Sequence, residues 1–192
     1  MGSKKKGIGF AGELWLSNGS VADWPHFARW HYRSHHLGCV NKVLLLWHGD
    51  LPIGICVFAS PAASLTLRSR YFGLADPRSR LGLQALNRQL WLLQRVVLHP
   101  TYRGAGIAAD FVRRACELCP VPWIETLSAM GRANPFFERA GFERIGTIRK
   151  TDGSSRGAYG VRSKRKPDAY RFSEPVYYIR RNNSPREAVA GE

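Results

Sequence analysis

Acidic residues are scarce in this sequence. Fourteen Asp and Glu stand against twenty-nine Lys and Arg, which leaves a formal net charge of +15 over 192 residues. Such an excess attracts polyanions, with nucleic acid the first candidate; it speaks to association rather than to fold. A solubility role, or residence near ribosomes without a specific target, is the other reading of the same charge. Cysteine is scarce too. The four present are too few for a disulfide framework at this length, and Cys116 with Cys119 forms a C-x-x-C that has no second pair at zinc-ribbon spacing. Reduced, structural thiols in a cytosol are expected. Long hydrophobic runs are missing: none approaches the roughly 18 residues of a membrane span. Lys4, Lys5 and Lys6 are followed by a glycine-rich stretch that lacks the apolar core of a secretory signal. The expectation is a cytoplasmic protein with no membrane partner.

What is there belongs to a folded chain. Hydrophobic residues make up 44% and aromatics 11%, and the length suits one domain. The expected organisation is a basic, flexible N-terminus at 1–11, a domain at 12–181 and a disordered tail at 182–192. A polar segment at 149–174, dense in Lys and Arg, reads as a basic insertion before the last strand. No internal repeat is present.

Along the chain, 13–16 reads as a strand closed by the turn residues Ser17-Asn18-Gly19. Ser20 or Asp23 then caps a helix whose first turn accommodates Pro25. Residues 43–47 and 53–58 form a hairpin through His48-Gly49-Asp50. The stretch 60–88 reads as irregular, with Arg68, Arg70, Arg78, Arg80 and Arg88. Residues 90–98 make a strand broken at His99-Pro100, and 105–118 have helical periodicity. A strand at 123–127, a short helix from Pro135 to Gly141, and strands at 142–148 and 176–179 complete the order. The pattern is mixed α/β, or α+β, around a single sheet.

The strongest local signal runs from Val96 to Ala108. A strand, Val96-Val97-Leu98, enters the turn His99-Pro100-Thr101-Tyr102-Arg103-Gly104-Ala105-Gly106, which opens directly into a helix at Ile107-Ala108. A helix start aims unpaired N–H groups and a positive dipole end at one point. Glycine at 104 and 106 lets an anion approach the backbone, and Arg103 adds a charged donor. Together these suit a diphosphate. No Gly-Lys-Ser/Thr follows, so this is no Walker loop, and its mid-chain position is wrong for a dinucleotide fingerprint.

Arg103-Gly104-Ala105-Gly106-Ile107-Ala108 resembles the R/Q-x-x-G-x-G/A signature of the GNAT (GCN5-related N-acetyltransferase) acyltransferases. The preceding strand and turn resemble that family's fourth strand, and Asn134-Pro135-Phe136-Phe137-Glu138-Arg139-Ala140-Gly141-Phe142 is similar to its second signature, about thirty residues on. The resemblance spans roughly 12–180. It implies a mixed, mostly antiparallel sheet flanked by helices, with acetyl-CoA or another acyl-CoA as cofactor. It places Val96, Val97, Leu98, Arg103, Gly104, Ala105, Gly106, Ile107, Ala108, Asn134 and Phe137 beside that cofactor. One departure stands out. Many members carry a tyrosine at the Phe137 position as general acid for the departing thiolate, and phenylalanine donates no proton.

The other unusual stretch is Trp30-His31-Tyr32-Arg33-Ser34-His35-His36-Leu37-Gly38-Cys39. The resemblance puts this region at the acceptor pocket, where His31 or Tyr32 can act as base or acid, or serve only in packing. If helical, His31, His35 and Cys39 share a face and could hold a metal; a surface helix with merely polar histidines is the plainer reading, and no metal is expected. Glu125, with Thr126 and Ser128, lies on a strand beside the expected cofactor cleft. It could deprotonate or orient an amine, or pair with one of the many arginines. The His-Tyr element, the core and the charge together resemble, more loosely, phage Mom-type DNA-modifying proteins that alter the adenine amine, and also GNAT domains fused to ATPases. The expected function is acyl-CoA-dependent modification of a base amine in nucleic acid, DNA favoured, with phosphate contacts from Arg33, Arg68, Arg70, Lys164, Arg165 and Lys166. The alternatives are N-acetylation of a protein or small-molecule amine, and a binding module without catalysis.

Overall fold

The computed structural model describes residues 13–31, 36–74, 79–148 and 174–182. Seven strands form one sheet in the order β1-β2-β3-β4-β5-β7-β6. They are β1 (Leu14–Gly19), β2 (Val40–His48), β3 (Leu51–Ala59), β4 (Leu90–Leu98), β5 (Trp123–Ser128), β6 (Glu143–Thr147) and β7 (Val176–Arg181). Every neighbouring pair is antiparallel except β4 with β5. The helices are α1 (Trp24–Ala28), α2 (Thr66–Phe72), α3 (Arg80–Gln89), α4 (Ile107–Glu117) and α5 (Phe136–Arg139).

Successive side chains on a strand point to opposite faces, and here both faces are apolar. Leu44, Leu46, Cys56, Phe58, Leu93 and Leu98 cluster with Phe111, Val112, Ala115 and Cys116 of α4 and with Phe137 of α5. The alternate residues Val43, Leu45, Ile55, Val57 and Val97 cluster with Trp24, Phe27 and Ala28 of α1. Two-sided burial explains why β2 to β4 read as continuous apolar runs.

Several expectations are corrected. Ser17-Asn18-Gly19 is no turn but the second half of β1, laddered to Leu45, Leu44 and Val43. Ser20 does stop the strand: its N–H donates to Asp23 Oδ2 at 2.7 Å, closing a short 3-10 turn (Val21–Asp23) that leads into α1. The stretch 60–88, expected to be irregular, holds two helices. Ser79 Oγ caps α3 by accepting from the Gly82 N–H at 3.0 Å. Ordered packing also reaches one residue further than the expected domain end. Asn182 is buried, and its Nδ2 donates to the carbonyls of Cys116, Cys119 and Val121. The expected basic N-terminus, the rest of the expected tail, and 149–173 of the basic insertion lie outside the described residues.

Candidate functional site

The site is built where two parallel strands part. The ladder between β4 and β5 covers Leu90–Leu92 against Trp123–Glu125 and stops there. At Leu93 a side chain takes over, with Thr126 Oγ1 donating to the Leu93 carbonyl at 2.9 Å. Beyond that point β4 stays with β3, up to Leu98 opposite Gly54, while β5 stays with β7, up to Ser128 opposite Val176. The registers of β3 and β4 slip at Gln94, where Val57 faces Arg95 and Phe58 faces Leu93. A bulge of this kind bends a strand and raises its twist. The gap therefore opens towards the C-terminal end of β4, which is Val96, Val97 and Leu98. Leu98 and the partly buried Val96 pack towards α4, and Val97 packs under α1.

The Gly-rich turn sits at the mouth of that gap. Pro100–Tyr102 form a 3-10 turn, then Gly104 and Gly106 take φ of +85° and +78°. L-residues with a Cβ avoid this region. A Cβ built on either glycine would have nothing within 4 Å, so the space above the turn is open. Gly106 is the N-cap of α4 and offers no side chain to its first N–H groups, those of Ile107 and Ala108 among them. An exposed turn with open space before the start of an eleven-residue helix has the geometry to cradle an anion. Ala105 is exposed within it, and Asn134 is exposed in the turn before α5.

Arg103, expected as a charged donor to the diphosphate, donates to backbone carbonyls. Its Nε donates to the Leu98 carbonyl at 3.1 Å and its Nη2 to the Trp30 carbonyl at 2.9 Å. Two further contacts were not legible in the sequence. Trp30 packs edge-on against His99 with centroids 4.5 Å apart. Tyr102 and His48 share a hydrogen bond of 2.8 Å from the phenol oxygen to Nδ1, and His48 Nε2 lies 2.8 Å from Glu13.

On β5, Glu125 resolves to the second of its two readings. It is 2% exposed and Arg68 is 0% exposed. Arg68 Nη1 donates to Oε1 at 2.9 Å and the Tyr177 hydroxyl donates to Oε2 at 3.0 Å, so both carboxylate oxygens are engaged. Burial raises the Glu125 carboxyl above the ordinary carboxylate range, opposed by the Arg68 charge and the Tyr177 hydrogen bond. Burial, then the adjacent carboxylate, pushes the Tyr177 phenol up. Glu125 is thus no open base. Arg68, expected at phosphates, is corrected as well: a fully buried guanidinium offers nothing to a polyanion. Arg70, two positions further on, is exposed on α2.

Ser128 is nearly buried at the end of β5. Phe137 is 5% exposed, among Phe136, Phe142 and Tyr178. The Tyr178 hydroxyl, held at 3.0 Å by both the Gly131 carbonyl and Glu138, is pushed up to about 12, with burial the largest cause. His31 is partly buried with its ring edge-on to Trp24 at 5.8 Å. The helix expected to align His31, His35 and Cys39 ends at Ala28, and residues 36–38 are not helical. Among the described residues no group of three His, Cys, Asp or Glu could hold a metal ion. Tyr32, Arg33, His35, Lys164, Arg165 and Lys166 lie outside the described residues.

No family model and no curated protein sequence matches the chain. Solved structures do match. AAC(6')-Ib, solved with paromomycin and acetyl-CoA, is 18% identical with a TM-score of 0.51, over 93% of this chain and 97% of its own. A Bacillus subtilis acetyltransferase solved with CoA is 11% identical with a TM-score of 0.54, over 88% and 97%. A spermidine N-acetyltransferase SpeG chimera from Vibrio cholerae and hSSAT is 10% identical with a TM-score of 0.52, over 94% and 99%. At such identities the likeness is one of fold, and the fold is that of the GNAT acetyltransferases.

Proposed function

We propose that this GNAT-fold protein is an acyl-CoA-dependent N-acyltransferase that binds acetyl-CoA, or another acyl-CoA, across the gap between β4 and β5. The observation that carries the reading is the turn at Gly104–Gly106. Positive φ at both glycines, open space where side chains would sit, and the uncapped start of α4 together fit a diphosphate. The three solved neighbours, one of them bound to acetyl-CoA and one to CoA, support it. In the proposed reaction an acceptor amine attacks the thioester carbonyl, the C–S bond breaks, and the amine's proton leaves while the thiolate gains one. Residues 94–98 of β4 would line the thioester arm. Phe137 supplies no proton to the leaving thiolate, and Tyr178 is held by two partners. Tyr32 and His31 remain the proposed donors, with Ser128 at the end of β5.

The finer part of the proposal is the acceptor: a base amine of nucleic acid, DNA favoured, met in the cytoplasm. The charge of +15 supports it. So does the state of the carboxylates. Glu13, Asp23, Asp110, Glu117, Glu125, Glu138, Glu143 and Glu174 each already have a hydrogen-bond or ion-pair partner; Asp50 alone among the described carboxylates has none. A polycationic acceptor would want free acidic groups. The proposed phosphate contacts are Arg33, Arg70, Lys164, Arg165 and Lys166, and the target amine must be flipped out or single-stranded.

Calorimetry with acetyl-CoA tests the first part. Wild type should bind and Gly106→Glu should not, with unchanged circular dichroism; equal affinity would remove the assignment. Mass spectrometry of nucleosides from expressing cells tests the second. An acylated base is expected, whereas unmodified nucleosides beside an N-acetylated protein or small amine would move the acceptor to that class.

A further inference from the structure

The guanidinium at the mouth of the turn is occupied by backbone from two other segments. Leu98, whose carbonyl takes Arg103 Nε, is the last residue of β4; Trp30, whose carbonyl takes Nη2, lies just past α1. The same segments meet through rings, since Trp30 packs against His99 at 4.5 Å, and His99 Nδ1 accepts from the Thr101 N–H that starts the turn. Where the chain is described again, β4 holds it once more. Arg95 Nη2 donates to the His36 carbonyl at 3.0 Å and the Gly38 N–H donates to Gln94 Oε1 at 3.2 Å.

We infer that Arg103 is a positioning residue: it fastens the segment beginning at Trp30 to the anion-binding turn and is not a phosphate ligand. The inference rests on the reading of that turn as the diphosphate site. A guanidinium is a rigid planar fork whose donors can meet two acceptors lying in different directions. Here they meet carbonyls on β4 and past α1, so the turn, the strand end and the Trp30 segment move as one piece. An ammonium on a flexible stem neutralises a phosphate well but cannot span both carbonyls. Lysine therefore separates the two roles.

Arg103→Lys and Arg103→Ala are compared with wild type in two measurements on the full chain. Hydrogen–deuterium exchange follows the amides of 29–31 and 36–38, without ligand. Calorimetry follows acetyl-CoA. Both variants should speed exchange in those segments by about tenfold, the size of one lost charge-assisted hydrogen bond. Both should lose acetyl-CoA affinity to a similar, modest degree. If Arg103→Lys keeps wild-type affinity while Arg103→Ala loses it by more than about thirtyfold, Arg103 is a phosphate ligand and the inference is overturned. Unchanged exchange in both variants overturns it equally. If wild type itself fails to bind acetyl-CoA, the proposed function falls, and the exchange arm still decides whether Arg103 is the fastening.

Discussion

Replacing Arg68 by methionine should cost this protein a large part of its stability. The guanidinium and the Glu125 carboxylate are 0% and 2% exposed, with 2.9 Å between Nη1 and Oε1. At that separation the attraction is about 6 kcal/mol for an effective dielectric of about 20. Desolvation of both ions offsets most of it, so the pair as a unit adds little. Removing one partner is another matter, because the remaining ion stays buried without its counter-charge. That costs about 3–5 kcal/mol, against total stabilities of about 5–15 kcal/mol. Arg68→Met combined with Glu125→Gln should recover most of the loss, since the amide oxygen still accepts from Tyr177 and no charge remains. Urea unfolding of wild type, both single variants and the double variant measures the cycle.

The pH dependence gives a second handle. Burial already raises the Glu125 carboxyl, and Arg68 opposes that; without Arg68 the rise is larger. A folded state that holds its proton to higher pH loses stability as pH increases. The Arg68→Met deficit should thus be small at acid pH, where the folded carboxyl is protonated in both proteins, and grow once pH passes the raised folded pKa of the wild type, until the variant's carboxyl ionises as well. A loss under about 1 kcal/mol that is flat across this range would mean that α2 does not dock through a buried ion pair.

Gly106→Ala must hold a Cβ at φ +78°, which costs about 1–2 kcal/mol, and should weaken acetyl-CoA by more than tenfold in calorimetry. Asn182→Ala removes the donor shared by three buried carbonyls and should lower stability by about 1–3 kcal/mol in urea. Cys39 is exposed, whereas burial pushes Cys119 up to about 12 and also raises Cys116 and Cys56 well above the ordinary thiol range. A thiol reagent at neutral pH should therefore titrate one cysteine before unfolding and four after. Phe137→Tyr puts a hydroxyl into a packed aromatic group and should lower the melting temperature without raising any transfer rate. A tenfold faster turnover would show that an ordinary tyrosine acid fits there after all.

Six of the seven strands were legible because their composition leaves little choice; the polar second half of β1, Ser17-Asn18-Gly19, looked like a turn. Leu90–Leu98 is an apolar run ended by His99-Pro100, and the strand has those bounds. The turn and α4 were legible because two glycines and a helical stripe identify themselves at short range. Residues 66–89 were not. Leu65 offers no side chain to cap α2, and the helix buries an arginine, a residue type that sequence pattern counts as surface. With Arg68 scored as polar, the seven residues of α2 leave only Leu67, Tyr71 and Phe72 as apolar positions, too few for a clear helical stripe.

The same blindness applied to the charges of the site. Arg68 and Glu125 are 57 positions apart, and nothing local says they meet. In sequence Arg68 stood for a phosphate contact and Glu125 for either a base or the partner of an arginine; the fold selects the pairing and names the arginine. Arg103 follows a related logic at a smaller scale. Its motif predicts a ligand, because the motif records only the chain on either side of it. The carbonyl that takes its Nη2 belongs to Trp30, 73 positions earlier. A basic protein presents many cations to a sequence reader, and their acceptors are set by topology. The two glycines of the turn are written locally, and in the fold both take a positive φ with open space above them. The function of a charged side chain is decided only when the sheet has brought its acceptor to it.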